Sequence, residues 1–257
     1  MSRVEFLLEK TLSGWRGWRT SWPDEPRVVR ELLGGRTNRS FLVKSGAYQA
    51  VVRINNEDSI SLGINRHQEI EILSLLQEFD FSPKVLFVDS HTLVSDYIEG
   101  YQWLESDLNA PLNIKKVTKI INKIHSVSLP CHAVKRNYLS YCQYYIRQLP
   151  VSICTLEKLF FDELLHVAAA IDSQTWAPVI NHHDIVPGNL IEATTGLFLI
   201  DWEYAAFGHP EIDLVRLHGL SDKISITEKI FFYSRALIGF GLSCKVSLLH
   251  FFLLIQV

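Results

Sequence analysis

The sequence has 257 residues, 47% of them hydrophobic and 21% charged, with a formal net charge of −3. That composition suits a soluble globular chain with one large core or two smaller ones, and it lacks the basic field with which proteins grip nucleic acid or an anionic membrane surface. The four cysteines form no Cys-x-x-Cys pairing, which argues against a zinc site or redox couple and for reduced thiols in a cytoplasmic protein.

In chain order, Val4, Leu7, Leu8 and Leu12 recur at helical spacing and predict a short amphipathic helix ending near Gly14 to Gly17. The first residues alternate charged and apolar groups, unlike the unbroken apolar run of a signal peptide. After the break "SWPDEP", β-like runs around Val28 to Leu33, Ser40 to Val43 and Ala50 to Ile54 predict a three-stranded meander, turning at Gly34-Gly35 and Ser45-Gly46. Ile70, Leu73 and Leu76 then share one helical stripe, and "KVLFVDSHTLVSDYIEG" reads as a strand pair running into Gly100.

Beyond Gly100 the period changes, and no further strand cluster is expected before residue 197. Val117, Ile120, Ile121 and Ile124 mark a helix, and others are predicted around 137 to 148, 155 to 171 and 223 to 240. The terminal "SLLHFFLLIQV" is 11 residues long. That is well short of the roughly 20 needed to cross a bilayer, so it reads as a buried helix and gives no membrane span. The chain thus divides into a sheet-rich front, 1–97, and a helical back, 98–257; strands followed by helices indicate an α+β fold.

The densest chemistry lies in "NHHDIVPGNLI" and "LFLIDWEYA". Asp184 and Asn189 are five residues apart, His182 stands two before the aspartate, and Asp201 ends an apolar run twelve residues after the asparagine. The order H-x-D-x-x-x-x-N followed by a strand-end aspartate matches the catalytic loop and metal-binding aspartate of kinases. Phosphoryl transfer needs a carboxylate beside the attacking hydroxyl, and oxygen ligands for the Mg²⁺ that bridges the phosphates. A short loop bent at Pro187-Gly188 turns Asp184 toward the acceptor and Asn189 toward the metal, and Asp201 completes the metal site. Taken singly, each residue is equally a loop polar group, a turn cap or a strand end. A metal hydrolase built on His182, His183 and Asp184 lacks a second histidine cluster, since His209 and His218 have no ligand spacing. His182 is expected to brace the loop by hydrogen bonding.

The front half offers a partner for this chemistry. "LLGGRTNRSF" places Gly34, Gly35, Thr37 and Asn38 between two strands, where backbone amides can approach a triphosphate; a plain hairpin turn is the alternative. Arg53, on the third strand, is the candidate cation for the α/β phosphates. Glu69 is its expected helix partner, with Glu71 as competitor.

Together these stretches resemble the aminoglycoside phosphotransferase and choline kinase superfamily, over about Leu32 to Leu217. "LLGGRTNRSFLV" is similar to its nucleotide loop, "INRHQE" to its early helix, "VSDYIEG" to its interlobe hinge, and "HHDIVPGNLI" with "LFLIDWEYAAFGHPEIDL" to its catalytic core. The resemblance implies a bilobal protein-kinase-like fold: a nucleotide-binding lobe at 1–97, carrying an extra N-terminal helix, and a helical catalytic lobe at 98–257. It implies Asp184 as catalytic base, Asn189 and Asp201 as magnesium ligands, and backbone groups near Asp96 to Ile98 as the adenine contacts. Asp213 matches a family aspartate expected to organise the loop after the metal site.

"IDWEYA" with arginine at 53 looks closer to the choline, ethanolamine and thiamine kinases than to the antibiotic-modifying branch, implying ATP, Mg²⁺ and a small cationic alcohol. Tyr204 is then a candidate face for the cation, with Glu203 adding negative potential; a packing aromatic is the alternative for Tyr204. Family members usually continue into helices whose aromatics wall the acceptor site, whereas this sequence ends at Val257 with no tryptophan after Trp202, so the acceptor stays open. The rivals are an aminoglycoside phosphotransferase and a catalytically impaired nucleotide-binding module. A protein kinase would need Asp-Phe-Gly and Ala-Pro-Glu equivalents, which are missing. Oligomeric state is open.

Overall fold

The computed structural model describes residues 1–32, 38–59, 62–156 and 158–218. The expected loop residues Gly34, Gly35 and Thr37, the helix around 223 to 240 and the apolar terminal helix lie outside the described residues. The elements begin with α1 (Arg3–Ser13), β1 (Arg27–Leu32), β2 (Arg39–Ser45), β3 (Tyr48–Ile54), α2 (Arg66–Leu75), β4 (Val85–Val88) and β5 (Thr92–Asp96). They continue with β6 (Tyr101–Gln102), α3 (Pro111–His125), α4 (Tyr138–Ile146), α5 (Val151–Leu156), α6 (Lys158–Ser173) and β7 (Val179–Asn181). After these come β8 (Leu190–Ala193), β9 (Gly196–Leu199), β10 (Ala206–Gly208) and α7 (Ile212–His218). Among the described residues, no helix is long and apolar enough to cross a membrane.

Packing divides the chain into two compact units, Met1–Asp107 with Val186–Glu203, and Leu108–Ile185 with the chain from Tyr204 onward. In the first unit, an antiparallel sheet runs in the order β1-β2-β3-β5-β4. Alternation along β3 buries Ala50, Val52 and Ile54 against Trp15, Trp18 and Trp22, which puts Arg53 on the other face. The helix α1 closes over that core, opened by a capping box in which Ser2 and Glu5 satisfy each other's backbone N–H groups. Asn65 caps α2 through the Gln68 N–H.

The same unit contains the three-stranded sheet β6-β8-β9, whose β8–β9 hairpin pairs Leu190 with Leu199. Gly100 must be glycine here, because a Cβ would lie 2.5 Å from the Glu192 carbonyl oxygen as the chain enters β6.

In the second unit, α4 and α6 enclose Tyr138, Cys142, Tyr145, Phe161, Leu164 and Ile171. Asn137 and, from α6, Asp172 accept the first N–H groups of α4, at Ser140, Tyr138 and Leu139. The back of the chain carries more strands than expected: β7, β8 and β10 each span three or four residues, too few to show a period-2 pattern. Asn181 ends β7 fully buried, its side-chain amide donating to the His209 carbonyl, so even the polarity of that strand points away from a core reading.

Candidate active site

In the first unit, Arg53 meets Glu69 through two parallel contacts, Nη1 to Oε1 at 2.7 Å and Nη2 to Oε2 at 2.8 Å. This is the pairing expected from the sequence, made by Glu69 rather than Glu71. Burial drives the Glu69 carboxyl upward, but the Arg53 and Arg66 guanidiniums outweigh it and hold its pKa below the usual carboxylate range. The Arg53 Nε also donates to Asn55 Oδ1 at 3.1 Å, and its Nη1 lies 3.9 Å from Asp201 Oδ1.

Asn189 and Asp201 flank the root of the β8–β9 hairpin, Asn189 just before β8 and Asp201 two residues after β9. The Leu190–Leu199 pair puts Asn189 and Ile200 opposite each other one step beyond the ladder, and the Ile200 N–H donates to the Asn189 carbonyl at 2.9 Å. Pro187, Gly188 and Asn189 form the expected bend as one 3₁₀ turn, pinned where Gln102 Nε2 donates to the Gly188 carbonyl at 2.5 Å. Asp201 has φ 64°, a left-handed conformation that costs a non-glycine residue about 1 to 3 kcal/mol and marks functional turns.

Asp201 and Asn189 fit magnesium: a carboxylate and an amide oxygen are the hard donors it takes, the remaining positions going to phosphate oxygens and water. Among the described residues there is no group of three or more His, Cys, Asp or Glu that could hold a metal ion.

Glu203 is 4% exposed, accepting from Asn38 Nδ2 at 2.7 Å and pairing with Arg66 Nη1 at 3.2 Å. Its charge is directed at these two side chains, a different use from the substrate-facing one expected. Neither Arg66 nor this link was legible as a site, although Arg66 and Glu69 stand three apart on α2 and so share a face. The Asp96 N–H donates to the Lys84 carbonyl at 3.0 Å, closing the β4–β5 ladder, and therefore cannot serve adenine. That leaves its carbonyl and the backbone from Tyr97 to Ile98 for the expected adenine contact.

In the second unit, the catalytic-loop candidate is held from below by Asp213. The fully buried Asp213 carboxylate accepts from the His182 N–H at 2.6 Å and the His183 N–H at 2.9 Å. It therefore organises the loop leading into Asp184. His182 braces the loop as expected: its Nδ1 accepts the Asp184 N–H at 3.2 Å, which assigns its proton to Nε2.

His183 has φ 61° and is buried, so desolvation lowers its pKa well below the ordinary histidine value. The Tyr138 hydroxyl accepts the His209 N–H at 2.9 Å, which leaves its own hydrogen for His183 Nε2 at 3.3 Å. Around this core, the Arg136 guanidinium stacks 4.5 Å from the Tyr141 ring centre, and burial raises the Tyr141 pKa, with the Asp184 charge adding to it. Tyr204, expected as a substrate face, is buried.

Residues 29–218 match the family model of choline/ethanolamine kinases. The chain belongs to the choline/ethanolamine kinase family. The Protein LicA homolog of Mycoplasma capricolum is 30% identical over 201 residues, 78% of this chain and 76% of that protein. The Plasmodium vivax ethanolamine kinase superposes with a TM-score of 0.71 at 15% identity, covering 90% of this chain and 81% of that one. The choline kinase LicA from Streptococcus pneumoniae gives 0.69 at 21% identity, covering 93% and 89%. The expected α+β, protein-kinase-like fold is the fold of these neighbours, and the family is one of small-molecule kinases that bind a nucleotide and phosphorylate an alcohol.

Proposed function

We propose that the protein transfers the γ-phosphoryl group of ATP to the hydroxyl of a small cationic alcohol, choline or ethanolamine first among them. The observation that carries this reading is the Asp184 loop, whose backbone is held through His182, His183 and Asp213. Asp184 orients the acceptor hydroxyl and takes its proton as the new O–P bond forms and the bond to the β–γ bridging oxygen breaks, releasing ADP.

Arg53, pre-oriented by Glu69, has only the N–H hydrogens left over from Glu69 and Asn55 to offer phosphate oxygens. Asn189 and Asp201 hold Mg²⁺. When bound, Mg²⁺ neutralises phosphate charge and orients the group in transfer. Asp201 sits in the left-handed turn after β9, and Asn189 ends the 3₁₀ turn that begins at Pro187.

On the acceptor side, an ammonium is best met by aromatic faces. Tyr141, partly exposed in the unit that carries Asp184, is the candidate ring, and it already holds the Arg136 guanidinium on its face. ATP as donor and free cysteines at 131, 142 and 154 suit a cytoplasmic location.

The test is a panel of choline, ethanolamine, thiamine and aminoglycosides with ATP and Mg²⁺, read by ADP release and by mass of the product. Phosphocholine or phosphoethanolamine is the expected product. Turnover on aminoglycosides alone, or ATP binding with no acceptor phosphorylated, would overturn the reading.

A further inference from the structure

One guanidinium ties the first unit's candidate residues into a single network. Arg66 Nη1 lies 2.9 Å from Glu69 Oε2 and 3.2 Å from Glu203 Oε2, and its Nη2 donates to Asn38 Oδ1 at 2.8 Å. Asn38 closes a triangle by donating from Nδ2 to the same Glu203 oxygen at 2.7 Å, while its Oδ1 also accepts the Asn56 N–H at 3.2 Å. The network is largely shut from water, with side-chain exposures of 16% for Arg66, 1% for Glu69 and 4% for Glu203.

We propose that Arg66 is a positioning residue for phosphoryl transfer, fastening Asn38 and Glu203 to the Arg53–Glu69 pair so that one side chain sets both nucleotide-loop exit and metal-binding segment. Asn38 directly follows the glycine loop in sequence, and Glu203 stands two residues beyond Asp201. The inference rests on the reading of that loop as phosphate-binding and of Asp201 as a metal ligand.

The chemistry of each corner is specific. Only an amide of this length both accepts from the guanidinium and donates to the carboxylate; an aspartate at 38 would lose the donor and face Glu203 with a like charge. Only arginine spreads donors over three acceptors, since a lysine ammonium on its flexible stem reaches one or two of them. Glu203 is thereby a nucleotide-side residue, its charge matched by Arg66.

The experiment compares wild type with R66K, R66Q, E203Q, the R66Q/E203Q double variant and D201N. Turnover, the Mg²⁺ concentration for half-maximal rate, and the gain in ATP affinity conferred by Mg²⁺ in calorimetry are measured, with thermal melting recorded alongside. The expected result is a kcat lowered at least about tenfold in R66K, R66Q and E203Q, with acceptor KM within about twofold. The Mg²⁺-dependent gain in ATP affinity shrinks by at least about threefold, and the double variant loses little beyond the worse single one, as members of one network do. A merely architectural role would lower the melting temperature and leave the kcat and Mg²⁺ response of the folded fraction unchanged.

Wild-type kcat and Mg²⁺ response in folded R66K or R66Q, or losses that multiply in the double variant, overturn the inference. Should R66Q not fold, E203Q and N38D carry the same comparison from the opposite corner. D201N separates the two levels. Inactive D201N beside normal R66Q rejects the positioning role alone, whereas fully active D201N rejects the underlying metal reading.

Discussion

Arg53 and Glu69 form a two-pronged pair on a carboxylate that is 1% exposed, and Arg66 shares its Oε2. Removing Glu69 leaves two guanidiniums without their shared anion. E69A is expected to destabilise the protein by about 3 to 5 kcal/mol in urea unfolding and to raise the KM for ATP. The sign with pH follows from a carboxyl whose folded pKa lies below its unfolded one. Its contribution is present above about pH 4.5 and is lost as pH falls through the lower folded value, so wild type and E69A converge in acid.

Gly208 in β10 packs where a side chain has no room. A Cβ there would lie 2.5 Å from Tyr138 Oη and 3.0 Å from both Asn181 Nδ2 and His183 Cε1. G208A should cost about 1 to 3 kcal/mol and lower kcat more than it changes the KM for ATP, because the displaced groups hold the Asp184 loop. Y138F removes the clashing oxygen, so G208A/Y138F should lose less stability than the sum of its single changes; strict additivity in thermal melting would contradict this packing.

How much of this was legible in the sequence depends on how far apart the partners lie. Arg53 and Glu69 could be paired in advance because a third-strand cation and an early-helix acid are local features of their own elements. Asp184 and Asn189 were legible because five residues of spacing encode a loop. Glu203 was not: read beside Tyr204 it looked like a substrate contact, and its partner Asn38 is 165 residues away. The same distance problem hid Tyr138, whose hydroxyl serves His183 and His209 from 45 and 71 residues earlier. Short strands such as β7 and β10 escaped because three residues carry no periodicity, and their burial comes from neighbours remote in sequence.

Asp213 makes a pH prediction with a definite sign. Burial pushes its carboxyl up to about 7, against the two backbone N–H groups it accepts and helped by the nearby Asp184 charge. A raised folded pKa means that its contribution is full below the unfolded value near 3.8 and is lost as pH rises through about 7. The stability penalty of D213N relative to wild type should therefore be larger at pH 4 than at pH 8. Buried His183, with its lowered pKa, works in the opposite direction, so the comparison is made as a wild-type-minus-variant difference across pH. A penalty that grows from pH 4 to pH 8 would contradict the assignment.

On the proposed mechanism, Asp184 accepts the acceptor's proton while other side chains hold the nucleotide. That role is tested most directly by D184A, with choline phosphorylation and ATP affinity measured on the same preparation. Turnover is expected to fall by about 10² to 10⁴ with ATP affinity within about threefold of wild type. Turnover within about twofold of wild type would contradict it.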